Sequence, residues 1–278
     1  MNNTISIGII GFGNMGQAIA EQLKSNYKIT VFDKDTSKIS LIKGILPALD
    51  LDTLIKGSDT IILAVKPQQF PEVFAEIKKC GHELDKLIIS IAAGITTRYI
   101  EDYFGVVRVV RVMPNMPAKI GSGMSCLSKG KFASEEDFDL AEELFSYMGE
   151  SLAIKEEMMN AATAISGSGP GYLYYLIEGK SLSEAKKYAH NIFMPALKDA
   201  AMKIGFNADE AHLLAQTTTE GSMAVLERSG LSAEQLKLQV VSKGGTTEAG
   251  LTVLHKEGTI EDAAMAALKR AEELSERK

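Results

Sequence analysis

The 278-residue chain has no tryptophan, two cysteines, four histidines and seven prolines. Cys80 and Cys126 lie far apart and show no metal-ligand spacing. That excludes a disulfide framework and a cysteine-based zinc site, and both read as reduced, buried thiols. None of the histidines falls in a motif, so no metal is expected and all four read as surface or structural residues. Basic residues are not in excess: 30 Lys and Arg face 36 Asp and Glu, for a net charge of −6. Nucleic-acid binding, which needs clustered cations for phosphate contacts, is therefore not expected. No apolar run reaches the roughly 18 residues a membrane helix requires. The N-terminus lacks a charged segment leading into an apolar stretch and a cleavage site. A cytoplasmic protein without membrane contact is the expectation.

The first half alternates. TISIGIIG (4–11), KITVFD (28–33), DTIILAV (59–65), KLIISIAA (86–93) and VVRVVRV (106–112) are continuous apolar, largely β-branched runs. Such runs suit parallel strands covered on both faces. Helical patterns fall between them, at 14–25 and near 36–43, 70–79 and 96–103. Strand alternating with helix implies right-handed crossovers and a doubly wound parallel sheet. After about residue 155 the β pattern stops. Segments near 156–178, 181–204, 207–228, 246–257 and 259–275 are rich in good helix formers, with breaks expected at GSGPG (167–171), Gly205, Gly221, Gly230, KGG (243–245) and Gly258. The fold class is α/β: a Rossmann-type domain over 1–155 and an all-helical domain over 156–278. The helical half is apolar enough to suggest an obligate dimer.

Three glycines crowd the junction between the first strand and the first helix, although glycine weakens both kinds of element. Gly11-x-Gly13-x-x-Gly16 has the spacing of a dinucleotide-binding turn. Gly11 makes the tight turn, Gly13 lets a pyrophosphate approach the backbone, and Gly16 lets helix and strand pack closely. The helix then offers free N–H groups and its positive end to phosphate. Asp33, about 20 residues on at the end of the second strand, is placed to accept from a ribose 2′-hydroxyl. Lys34 beside it could meet a 2′-phosphate instead. The cofactor is thus NADPH or NADH, with Asp33 tilting the reading toward NADH.

A second glycine turn stands in QVVSKGGTTEAGL (239–251). Gly244 and Gly245 permit unusual backbone angles, and Thr246 or Thr247 can cap the helix that follows. The junction reads either as a plain capped turn or as an anion site. In the second case a small carboxylate would be held by backbone amides and by Ser242, Thr246 or Thr247. A third loop, AISGSGPGYL (164–173), has the same small-residue composition. It either faces the same cleft or only lets helices pack closely.

Six motifs in order resemble those of the pyrroline-5-carboxylate reductases, the enzymes of the last step of proline synthesis. They are GIIGFGNMGQA (8–18), LAVKPQ (63–68), SIAAGIT (90–96), RVMPNMPA (111–118), AISGSGPGY (164–172) and SKGGTTEAGL (242–251), and together they span nearly the whole chain. The resemblance implies a Rossmann domain joined to a helical domain that forms a homodimer, or a larger ring of such dimers. It implies hydride transfer from NAD(P)H to the cyclic imine of 1-pyrroline-5-carboxylate, giving L-proline. The cofactor would be held by Gly11, Phe12, Gly13, Asn14, Met15 and Gly16, with Asp33. Ala64, Val65, Lys66 and Pro67 would line it near the ribose and nicotinamide. Ala92, Ala93 and Gly94 would stand opposite, and Asn115 would help close the crevice. Ser242, Gly244, Gly245, Thr246 and Thr247 would grip the substrate, with Thr247 as the catalytic residue bonding the ring nitrogen. Glu227, before the loop, is a further candidate carboxylate for that nitrogen.

Two features depart from the family pattern. Lys243 stands where the family usually has proline. Residues 179–192 (GKSLSEAKKYAHNI) look like an insertion, in a stretch the family uses for its dimer core. Two rival readings are a β-hydroxyacid dehydrogenase and a non-enzymatic NAD(P)-sensing protein. The first would need a lysine and an asparagine after the GSG loop, where this chain has PGYLYYLIE.

Overall fold

The computed structural model describes residues 5–81 and 84–276. The chain folds as two compact units: residues 1–112 with 127–147, and 113–126 with 148–278.

In the first unit the apolar runs become strands. β1 (Ser6–Ile10) leads into α1 (Asn14–Leu23), then β2 (Lys28–Phe32), a short β3 (Leu46–Pro47), α2 (Leu51–Lys56), β4 (Thr60–Leu63), α3 (Phe70–Lys79), β5 (Leu87–Ser90), α4 (Thr97–Phe104) and β6 (Arg108–Pro114). β7 (Gly123–Lys129), α5 (Glu135–Ser146) and β8 (Gly149–Ala153) follow. The strand order is β3-β2-β1-β4-β5-β6-β7-β8. β1 pairs in parallel with both β2 and β4, Ile7 lying opposite Ile29 and Thr60. β4–β5 and β5–β6 are parallel as well. All residues of β4 and β5 are buried, which is why these strands carry no polar alternation. Between β1 and β4 the winding reverses, and in open α/β sheets the crevice at that point takes the ligand.

Local chemistry explains where the sequence reading fell short. The helix expected near 36–43 is a 3₁₀ turn, Thr36–Leu41, begun by Asp35, whose carboxylate accepts from the Ser37 N–H and hydroxyl. Such local bonds compete with α-helix. β7 (GMSCLSK) and β8 (GESLA) contain no β-branched residue, so neither announces itself as a strand. α5 did leave a signal, the Ser134/Asp137 capping box.

Gly16 packs α1 against the turn. A methyl group there would overlap the Gly11 carbonyl oxygen and come within 3.4 Å of Ala64 Cβ. Gly16→Ala should therefore destabilise the protein by about 1–3 kcal/mol, the usual range for overpacking, although alanine is the better helix former. Urea unfolding measures this, and an unchanged midpoint would show that α1 can move off the turn at no cost.

The second unit contains α6 (Met159–Ala162), α7 (Gly169–Leu176), α8 (Leu182–Tyr188), α9 (Met194–Lys203), α10 (Ala208–Ser229), α11 (Ala233–Val240), α12 (Thr246–Leu254) and α13 (Ile260–Glu276). Two expected breaks are not breaks. GSGPG joins the end of a π turn, Thr163–Gly167, to the first residues of α7, with the Ser168 N–H bonded to the Thr163 carbonyl. Gly221 lies inside the 22-residue α10. A Cβ at Gly221 would overlap the Ser122 carbonyl oxygen and stand 2.9 Å from Pro117 Cβ. Close packing thus offsets the roughly 1 kcal/mol that glycine costs a helix interior. α11 went unread despite its Ser232/Gln235 capping box. The stretch read as an insertion forms α8, capped by Ser181 and Glu184, and a π turn, Ala189–Phe193, that feeds α9. Both cysteines are free. Burial raises the Cys80 thiol pKa, and pushes that of Cys126 up to about 12, so Cys126 stays a protonated, unreactive thiol.

Candidate functional site

In the first unit, β1 ends in a turn that Gly11 makes with φ +99°, a region that disfavours side chains. Two bonds hold this turn to β2. The Gly11 N–H donates to the Phe32 carbonyl at 2.8 Å, and the Phe12 N–H to Asp33 Oδ2 at 2.6 Å. Gly13 is the N-cap of α1 and supplies no side-chain cap, so first-turn N–H groups remain for a ligand. A Cβ on Gly13 would meet no protein atom within 4 Å. It would point into open space in front of a helix N-terminus, which is what a bound pyrophosphate needs.

A cleft of about 260 Å³ opens there, lined by Gly11, Gly13, Asp33, Ala64, Val65 and Lys66 from the expected set. Lys34, Lys38, Gln69 and Glu72 also line it. Phe12, Asn14, Met15, Gly16, Pro67, Ala92, Ala93 and Gly94 are not in that lining. Phe12 and Gly16 are buried behind the turn, and Ala92–Gly94 follow β5. Asp33 is more occupied than the sequence suggests. Its Oδ1 accepts from the Asp35 N–H at 2.8 Å and pairs with Lys38 Nζ at 3.3 Å. Burial lowers the pKa of Lys38, but its bonds to Asp33 and Asp35 outweigh this and raise it overall. Lys34 reaches Glu72 at 2.7 Å, and that bond holds its pKa above the ordinary lysine value. Lys38, Gln69 and Glu72 carried no motif, because their place in the cleft comes from a turn and a helix start.

In the second unit, Gly244 has φ +70° and lets the chain turn sharply from α11 into α12. Its carbonyl accepts from Arg270 Nε at 2.8 Å, and its N–H donates to Glu248 Oε2 at 2.6 Å. The Gly245 N–H donates to the Ser242 carbonyl. Two of the amides expected to hold an anion are therefore already bonded, Gly244 to a side chain of α12 and Gly245 within the loop. The first-turn N–H groups of α12 remain, since Gly245 caps the helix without a side chain. Thr246 and Thr247 stand at that first turn. Thr247 is buried, and Ser242, Lys243 and Gly244 are exposed.

The third loop reaches this turn. Thr247 Oγ1 donates to Ser168 Oγ at 3.2 Å, and Ser168 Oγ and Thr246 Oγ1 are 3.0 Å apart. Gly171 leaves room for the Thr247 methyl group, which a Cβ at that position would strike. Asn115 is buried, and its Oδ1 accepts from the Met124 N–H at 2.8 Å. Among the described residues its Nδ2 has no hydrogen-bond partner. Glu227 pairs with Lys186 of α8 at 3.1 Å. His255 packs edge-on against Tyr175, and His190 Nδ1 bonds the Lys186 carbonyl. His82 lies outside the described residues. Among the described residues no helix is long and apolar enough to cross a membrane.

Residues 189–276 match the family model for pyrroline-5-carboxylate reductase dimerisation. Residues 6–94 match the model described as NADP oxidoreductase, coenzyme F420-dependent. The chain is similar to a pyrroline-5-carboxylate reductase of Pisum sativum, 33% identical over 99% of this chain and 98% of the relative. It is similar to the solved pyrroline-5-carboxylate reductase of Coxiella burnetii, with TM-score 0.65 and 32% identity, covering 98% of this chain and 99% of the other. The Plasmodium falciparum pyrroline carboxylate reductase, solved with NADP bound, matches with TM-score 0.63 and 29% identity over 99% of both chains.

Proposed function

The chain belongs to the pyrroline-5-carboxylate reductase family and is an NAD(P)H-dependent oxidoreductase, and from that premise we propose how its own residues divide the reduction of 1-pyrroline-5-carboxylate to L-proline. We assign residues 1–155 to the dinucleotide and 156–278 to substrate binding and dimerisation. When bound, the reduced nicotinamide supplies a hydride. The protein must hold that group and an imine carbon in a reactive geometry, and orientation of this kind contributes up to roughly 7–11 kcal/mol.

Gly11, Gly13 and the first turn of α1 would hold the pyrophosphate. Ala64, Val65, Lys66 and Pro67 would line the ribose side, with Ala92, Ala93 and Gly94 opposite, and Asn115 Nδ2 would donate to the cofactor. The first-turn amides of α12 and Ser242 would hold the substrate carboxylate, and Thr247 Oγ1 would bond the ring nitrogen. A single observation carries the substrate half of this reading: the buried Thr247 hydroxyl sits at the start of a helix with no side-chain cap. The dimerisation match makes the chain a homo-oligomer; we propose a dimer, with larger rings of dimers as its assembly. Two free thiols fit a cytoplasmic setting.

One assay tests the activity against both rivals. NAD(P)H oxidation is followed with pyrroline-5-carboxylate and with no substrate, and NAD(P)⁺ reduction is followed with a 3-hydroxy acid. Only the imine should support turnover. Reduction with the hydroxy acid, or no turnover at all, would reject the reading.

The choice between nucleotides should depend on Lys38. Its ammonium lies in the cleft beside Asp33 and would meet a 2′-phosphate. A partly exposed pair of this kind is worth up to about 1 kcal/mol. Lys38→Ala should therefore raise KM for NADPH by about 5-fold while changing that for NADH little, and added salt should shrink the difference. Equal changes for both nucleotides would remove Lys38 from the 2′-phosphate site.

A further inference from the structure

We propose that Ser168 is a positioning residue that accepts a hydrogen bond from the Thr247 hydroxyl, so that Thr247 faces the substrate with lone pairs only and selects the protonated, iminium form of the ring. The inference rests on the assignment of Thr247 to the ring nitrogen, and it fixes the direction of that hydrogen bond.

A threonine hydroxyl has one proton and two lone pairs. In Thr247 the proton is directed at Ser168 Oγ. Packing fixes the position of its oxygen beside Ser168 Oγ. Its methyl group occupies the space left by Gly171, and both Thr247 and Ser168 are buried. Ser168 can accept this proton because its own has other destinations. Thr246 Oγ1 is 3.0 Å away, and the Tyr172 hydroxyl, whose pKa burial raises and a bond from Ser168 partly lowers again, is a second neighbour. Ser168 is held at this point by the π turn that ends at Gly167, a kind of helix defect found often at functional sites.

The consequence is chemical. A hydroxyl whose proton is already directed at another acceptor does not donate to a neutral imine nitrogen. It can accept from an iminium N–H, and hydrogen bonds to charged groups are the stronger kind. Solvent then supplies the ring proton before reduction. The hydride adds to the iminium carbon, the C=N π pair becomes the nitrogen lone pair, and the N–H proton stays in place. No acidic side chain is needed, in keeping with Glu227 being paired with Lys186.

The test compares two competitive ligands of one shape. L-Proline presents N–H donors at the ring heteroatom, whereas tetrahydro-2-furoate presents an ether oxygen that only accepts. Inhibition constants against pyrroline-5-carboxylate are measured for the wild type, Ser168→Ala and Thr247→Val. Ser168→Ala frees the Thr247 proton and should shift the proline-to-ether preference about 10-fold toward the ether. Thr247→Val keeps the shape, removes the lone pairs and should shift it in the same direction by less. It reads the acceptor role even if Ser168→Ala does not fold. A preference unchanged in both variants, or moved toward proline, overturns the inference. Failure of both ligands to compete in the wild type would instead reject the substrate-site assignment itself.

Discussion

Gly13→Val should give a folded protein that no longer binds NAD(P)H. The backbone at Gly13, φ −75° and ψ −169°, is extended and open to any residue. A Cβ there meets no protein atom within 4 Å, so the valine starts in open space and clashes with no packed neighbour at that atom. The same open space is where the pyrophosphate must approach α1, and the valine methyls would fill it. We expect at least about a 1,000-fold loss of affinity for both nucleotides, roughly 4 kcal/mol, with an unfolding midpoint near that of the wild type. Nucleotide titration by fluorescence, together with urea unfolding, measures both. Retained affinity in a folded variant would mean that the nucleotide lies elsewhere. Gly16→Ala provides the contrast, since it harms the fold first and binding only as a result.

Thr247→Ala should show the opposite pattern. The first-turn amides of α12 survive the change, so the carboxylate keeps its donors, and the cofactor cleft in the first unit is untouched. What goes is the hydrogen bond to a charged ring nitrogen, worth about 1.5–3 kcal/mol. kcat/KM for the imine should fall by about 10- to 100-fold, while the dissociation constant for NAD(P)H stays within about 2-fold. Stopped-flow measurement of hydride transfer separates the two quantities. A wild-type rate would show that the hydroxyl takes no part in the reduction.

The two variants probe residues that were legible to different degrees. Gly11, Gly13 and Gly16 could be read from spacing alone, because a strand, a tight turn and a helix impose that spacing locally. Asp33 was found for the same reason, but its occupation was not. The Phe12 N–H, the Asp35 N–H and Lys38 all bond it, and only the folded turn brings them to one carboxylate. Lys38 and Glu72 were missed as cleft residues because they belong to a 3₁₀ turn and a helix start that follow different strands. Gly221 was misread as a break, since a glycine that ends a helix and one that lets a helix lie against Ser122 look alike in sequence.

The chain's own order of residues determined what depends on neighbours within a few positions: the parallel strands, the dinucleotide turn, and the helix that begins at Thr246. Periodicity, β-branching and glycine spacing are local properties, and they survive in a one-dimensional string. Tertiary structure decided what depends on residues far apart. Ser168 and Thr247 are 79 positions apart, yet one accepts the other's proton. Arg270 braces Gly244 across 26 positions. The direction of a hydroxyl proton is set by whichever acceptor packing places beside it.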